Sequence, residues 1–221
     1  NMSTITKQSI NGGEFLIKET EAQEIFIFEQ FNEEQKMIRQ TAYDFLIQEV
    51  LPHARKIDKQ EDNTLLEVLG KFANLGFLGT HMPTEYGGLD FDNHTNTLIS
   101  EVMGPSGSFT VAYAAHIGIG MLPILYFGTE EQKSHYLPRL ILGELKASYC
   151  LTEPGSGSDA LAAKTRADLS EDGTKYILNG QKMWISNAGF ADIFIVFAKI
   201  GGEKFTGFIV ERNTPGLTFG E

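Results

Sequence analysis

The hydrophobic period of this chain changes once, near residues 143–146, and that change restricts the fold to a helical half followed by a sheet half. Before it, apolar residues recur at three- and four-residue intervals. Ile38, Ala42, Phe45, Leu46 and Val50 form one stripe; Leu65, Leu66, Val68, Leu69, Phe72 and Ala73 form a second. The first stripe predicts a helix that closes at Pro52, and the second a helix stopped by Gly76. Further helices are expected over 93–103, ahead of the break Gly104-Pro-Ser-Gly107, and over 109–120 with a bend into 121–127. Another starts at Thr129, where Gln132 completes a capping box. Such stripes must be buried against one another, so 32–146 reads as a helical domain behind an N-terminal extension over 1–31.

From residue 147 the period is two. Segments 147–152, 164–169, 175–184, 193–199, 206–211 and 217–219 read as strands, punctuated by Gly173, Asn179-Gly180, Gly201-Gly202 and Pro215-Gly216. Short strands parted by tight turns predict an antiparallel barrel or sandwich over 147–221. The expected fold class is therefore α+β, an all-α domain followed by a β domain.

Charge and composition remove several function classes. A net charge of −11 opposes nucleic-acid binding and a polybasic membrane anchor, both of which need clustered Lys and Arg. The longest apolar run, 117–127, is short and broken by glycine and proline, so no transmembrane segment is expected. The first residues lack a basic region followed by an apolar block, and the single Cys150 cannot form an internal disulfide. A reducing compartment follows as the expectation: cytoplasm, or mitochondrial matrix in a eukaryote. His53, His81, His94, His116 and His135 make no metal-ligand spacing, so no metal is expected; His116, on an apolar helix, reads as a satisfied core histidine.

Two segments carry the chemistry. Tyr149-Cys-Leu-Thr-Glu-Pro-Gly-Ser-Gly-Ser-Asp159 runs from an apolar strand into a small, polar loop whose main-chain N–H groups can converge on a ligand. Lys182-Met-Trp-Ile-Ser-Asn187 sets the only tryptophan two residues from a hydroxyl. An aromatic plate, hydroxyl donors and free amides together suit a flat heterocycle. Gly155-x-Gly157-x-x-Ala160 matches a dinucleotide fingerprint in form, but 164–169 alternates like a strand where that fingerprint requires a helix.

These segments, with Pro83-Thr-Glu-Tyr-Gly-Gly88, Phe127-Gly-Thr-Glu-Glu-Gln-Lys133, Tyr136-Leu-Pro138 and Leu178-Asn-Gly-Gln-Lys182, resemble the acyl-CoA dehydrogenases from about Phe31 to Phe219. The lead-in Gly12-Gly-Glu-Phe-Leu-Ile17 looks most like the very-long-chain branch. The resemblance implies FAD as cofactor and α,β-dehydrogenation of an acyl-CoA to the trans-2-enoyl-CoA in fatty-acid β-oxidation. It implies flavin contacts from Tyr149, Cys150, Leu151, Thr152, Gly157, Ser158, Trp184, Ile185 and Ser186, with Ser158 also touching the CoA portion of the substrate. Many relatives carry threonine where Ser186 stands, so the hydroxyl is kept and the rotamer-restricting methyl is lost.

Electron-transfer flavoprotein and further copies of the chain are the implied partners. The family's catalytic base, a glutamate, lies in a C-terminal helical domain that these 221 residues do not include, so no catalytic acid or base is assigned and the piece alone is expected to be inactive. Small residues at Ala112, Ala114, Ala115, Gly118 and Gly120 are open to two accounts, close helix packing or a groove for a long alkyl chain. An acyl-CoA oxidase, another flavin oxidase on this fold, and a non-catalytic binding relative remain open alternatives.

Overall fold

A computed structural model describes Ile10 and residues 12–220; residues 1–9 and 11 of the expected extension, and Glu221, lie outside the described residues. The helical half comprises α1 (Glu33–Phe45), α2 (Ala54–Asp58), α3 (Thr64–Asn74), α4 (Asn93–Met103), α5 (Ser108–Ala114), α6 (Leu122–Phe127) and α7 (Glu130–Ile141). Local cap chemistry sets several of the boundaries. Asn32 and Gln35 cap α1 reciprocally, Asp92 accepts from the Thr95 N–H at the start of α4, and Thr129 with Gln132 forms the expected box on α7. Gly76, at φ 84°, takes the left-handed conformation after α3.

Pro52 does not close the first helix, which corrects the expectation. The chain widens into a π-turn at Leu46–Val50, tightens at Leu51–His53 with Pro52 among its first positions, and continues as α2. A proline costs little in a first turn, where its missing N–H would have no intrahelical partner. The 109–127 expectation gains a similar detail: α5 and α6 are joined by a second π-turn, Ala115–Gly120. The resulting 20-residue stretch Ser108–Phe127 is long and apolar enough to cross a bilayer by length and composition alone. Half of its apolar window is buried inside the fold, as befits a central core helix.

The core of this half is aromatic. Phe72 stacks on Phe45 at 4.6 Å and on Phe77 at 4.4 Å, and meets Phe109 and Tyr113 edge-on.

The strands are β1 (Ala147–Cys150), β2 (Arg166–Leu169), β3 (Tyr176–Asn179), β4 (Ile193–Ile200) and β5 (Lys204–Glu211). They form a mixed sheet, and this corrects the antiparallel expectation. β4 is central: β5 pairs antiparallel along its whole length, while β1 and then β2 run parallel to its first and last residues. Only β2–β3 and β4–β5 are hairpins. The second turns through Gly201 and Gly202, both at positive φ, a conformation glycine adopts without strain. β3 ends at Asn179, short of the expected 184; the next residue, Gly180, lies so close to Thr165 that a Cβ there would sit 2.7 Å from the Thr165 Cα. Residues 181–192 then leave the sheet and cross back beside β1, so β4 returns parallel to it. No strand forms over 217–219.

Strand alternation sorts the two faces of the sheet. Ala147, Ile193 and Ile195 pack on Met121, Ile124, Leu137 and Leu140 of the helical half. Cys150 and Phe194 pack on Ala191, with Ile185 and Ala188 beside them. Gly120 passes β1 so tightly that a Cβ there would lie 2.7 Å from that of Ala147.

The Pro83–Gly88 motif serves this packing. Thr84–Tyr86 makes a single tight turn, Gly87 closes it at φ 88°, and Gly88 presses on the backbone of Met82. A Cβ at residue 88 would meet the Met82 carbonyl carbon at 2.4 Å. Gly88→Ala is therefore expected to destabilise the fold by about 3 kcal/mol, the upper range for overpacking, measured as a lower urea midpoint at unchanged slope.

Candidate functional site

The two motif segments are stitched side by side. The Met183 N–H donates to the Thr152 carbonyl at 2.9 Å, and Lys182 Nζ donates to the Leu151 carbonyl at 3.1 Å. The Ser148 hydroxyl donates to the Ser186 carbonyl at 2.6 Å. Asn187 is buried and its Nδ2 reaches the carbonyls of Ala112 at 2.9 Å and Ala147 at 3.3 Å, which pins the segment to both halves of the protein. Arg212, just past β5, holds the following loop through the carbonyls of Ala188, Gly189 and Ala191.

One buried carboxylate organises the other segment. Glu153 accepts from Lys182 Nζ at 2.8 Å, from the Lys164 N–H at 2.6 Å, and from both the N–H and the hydroxyl of Thr165. Burial opposes its ionisation, but Lys182, Thr165 and the two main-chain donors outweigh burial and hold the carboxyl down at about 2. The Glu153 backbone also pairs with Ser156 in both directions, which folds Pro154–Gly155 into a tight turn and leaves Gly157 and Ser158 exposed. Neither Glu153, Lys182 nor Asn187 was singled out from sequence. Their available signal was the presence of charged and amide side chains inside segments otherwise built of small and apolar residues, where burial demands a partner.

Trp184 stands out against this scaffold. Its indole is 84% exposed and its backbone is at φ 59°, in the left-handed region that bulky residues avoid. Asn187, three residues on, is also left-handed at φ 66°. Strain of this kind persists where the surroundings over-determine it, and it concentrates at ligand sites. Among the described residues, the hydroxyls of Thr152, Ser158 and Ser186, the indole N–H, and the main-chain N–H groups of Gly157 and Ser158 have no hydrogen-bond partner. A large aromatic face held out to solvent beside unengaged donors is an arrangement that can receive a flat, acceptor-edged heterocycle.

The other expected residues divide by face. Cys150 is 5% exposed, and burial pushes its thiol up to about 11 against the partial relief of Ser148 and Lys182, so only its main chain can serve a ligand. Ile185 is partly buried against the same cluster. Tyr149 points to the opposite face of the sheet, its ring 5.0 Å from that of Phe197, because neighbours on a strand alternate. The tyrosine ring thus lies on the face away from Cys150, and the main chain of residue 149 is the part of it that continues into the loop.

A cavity of about 260 Å³ is lined by Ser186 and Asn187 together with Ile57, Asp58, Gln60, Leu65, Ser108, Val111, Ala112 and Phe190, half of them polar; Thr152, Ser158 and Trp184 are not among its lining residues. Of the small residues of the 109–120 stretch, Gly120 serves close packing against β1, and Ala112 lines this cavity.

His116 joins the halves beneath this region. It is buried, its Nδ1 accepts from the Ala147 N–H at 3.0 Å and its Nε2 contacts the Leu140 carbonyl at 3.1 Å, which makes it the satisfied core histidine expected. No group of three or more His, Cys, Asp or Glu side chains suited to a metal ion occurs among the described residues.

Comparison with known proteins covers both halves of the chain. The family model of the acyl-CoA dehydrogenase N-terminal domain matches residues 32–144, and that of the middle domain matches residues 148–221. A probable acyl-CoA dehydrogenase of Bacillus subtilis (strain 168) is 50% identical over 209 residues, covering 95% of this chain and 35% of that protein. The mitochondrial very long-chain specific acyl-CoA dehydrogenase of Macaca fascicularis is 40% identical over 202 residues, covering 83% of this chain and 31% of that protein. The crystal structure of an acyl-CoA dehydrogenase complexed with FAD from Bacillus anthracis superposes with a TM-score of 0.90 at 48% identity, covering 95% of this chain and 36% of that one. The chain thus spans about a third of the length of these relatives. Matched over both its helical and its sheet half, in the order in which they fold here, the chain belongs to the acyl-CoA dehydrogenase family.

Proposed function

We propose that these residues are the N-terminal and middle domains of an FAD-dependent enzyme that converts a long-chain acyl-CoA to its trans-2-enoyl-CoA in fatty-acid β-oxidation. The observation that carries the proposal is the strained, exposed Trp184 on a segment held by hydrogen bonds against the one that carries Thr152 and Ser158, with the hydroxyls of Thr152, Ser158 and Ser186 unengaged. The residues present fit a flavin: an aromatic plate for the ring face, hydroxyls for its polar edge, and free amides at Gly157 and Ser158 for the anionic and thioester groups of cofactor and substrate. The bound flavin supplies the acceptor for the hydride that leaves the substrate β-carbon. Trp184 and Ile185 support the ring, Thr152 and Ser186 orient it through donated hydrogen bonds, and Ser158 steadies the CoA portion.

The base that removes the α-proton is assigned to chain outside these residues, as are the remaining walls that exclude water. The open setting of Trp184 and the third of the relatives' length that the chain spans both support that assignment. The 221 residues alone are accordingly proposed to hold FAD weakly and to be inactive. The long-chain preference draws on the small side chains at Ala112, Ala114, Ala115, Gly118 and Gly120 and on the name of the Macaca relative. Electron-transfer flavoprotein as acceptor, assembly into a homo-oligomer, and a cytoplasmic or mitochondrial-matrix location belong to the same proposal.

The test is the visible spectrum of the full-length parent protein during titration with acyl-CoA thioesters of increasing length. Flavin bands bleached most readily by long chains are the expected result. A butyryl-to-octanoyl optimum would remove the chain-length assignment, and a colourless protein unmoved by any thioester would remove the function. Oxygen consumption equal to the reduction of an artificial acceptor would identify an oxidase instead.

A further inference from the structure

We infer that the buried Glu153–Lys182 pair is a positioning clamp that sets the Thr152 and Trp184–Ser186 surfaces to act on one flavin, and that it also tunes the hydrogen-bond donor at Thr152. The inference rests on the flavin reading given above. Among the described ion pairs this is the one with both side chains at 10% exposure or less; every other has at least one carboxylate or cation well into solvent.

A buried pair of charges is a poor way to gain stability, because desolvation offsets most of the attraction and an apolar pair of similar volume does as well. What it supplies is fixed geometry. Lys182 spans the gap between the segments with two donated bonds, one to the Leu151 carbonyl and one to Glu153, and the Met183–Thr152 bond lies directly beside them. Glu153 returns the tie through Lys164 and Thr165 at the head of β2.

The second consequence is electronic. The Leu151 carbonyl belongs to the same peptide unit as the Thr152 N–H. A cation donating to that carbonyl polarises the unit and strengthens its N–H as a donor. A stronger donor at the proposed ring edge favours the reduced, electron-rich flavin. Glu153 cancels the net charge of Lys182, so the clamp adds a directed dipole in place of a bare cation.

The two variants therefore move the flavin midpoint potential in opposite directions. In the full-length parent holoenzyme, Lys182→Met removes the cation and should lower the potential. Glu153→Gln leaves the cation unbalanced and should raise it. FAD affinity should fall about tenfold in Lys182→Met, equivalent to the loss of one charge-assisted hydrogen bond, and Lys182→Arg should restore most of it. Potentials that shift in the same direction, or affinities within about twofold of the parent where a clamp requires tenfold, would overturn the inference, since a merely structural role predicts nothing about sign. Should Lys182→Met fail to fold, the comparison of Glu153→Gln with Lys182→Arg carries the same test. A raised potential is then expected in the first alone, and equal potentials overturn the inference. A parent protein that takes up no FAD removes the flavin reading itself; a parent that binds FAD beside equally competent variants removes only the clamp.

Discussion

Trp184→Gly in the full-length protein is expected to raise folding stability by about 1 kcal/mol while it weakens FAD binding ten- to roughly a hundredfold. The two effects have separate origins. The indole is 84% exposed, so its removal sacrifices little buried surface, and substitutions at such positions ordinarily change stability by no more than about 0.5 kcal/mol. The backbone at φ 59° disfavours a bulky residue and suits glycine, which relieves strain of about 1–3 kcal/mol that the folded state carries for tryptophan. The aromatic plate disappears at the same time, and stacking of a heterocycle on such a plate supplies about 1–3 kcal/mol. Urea unfolding and flavin titration on the same preparation measure both quantities. A loss of stability without a loss of affinity would mean that the indole packs against protein in the full-length molecule and has no part in holding the cofactor.

How much of this was legible in the sequence depends on how local the cause is. The Thr129–Gln132 box and the glycine stop after α3 are settled by residues within one turn of each other, and both appear as expected. α4 occupies 93–103, the span read from its stripe. Pro52 was misread because a proline looks the same whether it ends one helix or enters the first turn of the next, and the π-turn that separates the cases has no sequence mark. The sheet was misread for a longer-range reason. Alternation identifies β1, β2, β4 and β5 as strands, yet neighbouring strands need not pair, and β1 lies beside β4 only because residues 181–192 cross back to it.

At the candidate site the same distinction holds. Trp184, Ser158 and Ser186 are legible as candidates because motifs carry them, and all three are exposed. Glu153, Lys182 and Asn187 were missed because their importance arises from partners 29 residues apart in the first two and 75 and 40 residues away in the third. Tyr149 and Cys150 are neighbours in one motif, and the pleat sends their side chains to opposite faces.

Lowering the pH from about 6.5 to about 4 is expected to cost this fold up to about 3 kcal/mol through His116 alone. Burial is the main cause: it pushes the imidazole down from 6.5 to about 4, with Lys146 in the same direction and the Leu140 carbonyl and Asp192 in opposition. The Ala147 N–H also needs a lone pair at Nδ1, which protonation removes. Above 6.5 the histidine is neutral in both the folded and the unfolded chain, and its contribution is complete. Between 6.5 and 4 the unfolded chain binds a proton that the folded chain refuses, so stability falls as pH falls; below about 4 both forms are protonated and this loss stops growing. His81, also lowered by burial, adds in the same direction, whereas Glu153 enters only below its ordinary 4.5 and down to about 2.

The Glu153 window lies largely below that of the histidines, and mutation separates His116 from His81. His116→Gln retains an amide that can donate to Leu140 and accept from Ala147 but has nothing to titrate. It should be somewhat less stable than the parent at neutral pH, with a markedly flatter decline of the urea midpoint between 6.5 and 4. Because this histidine ties the Ala115–Gly120 turn and α7 to the first residue of β1, the acid-induced loss should be felt at the junction that carries Asn187 and, through it, Ser186. Parallel pH profiles for parent and variant would show that residue 116 titrates as freely as a surface histidine, and the junction would then owe its order to Asn187 and apolar packing alone.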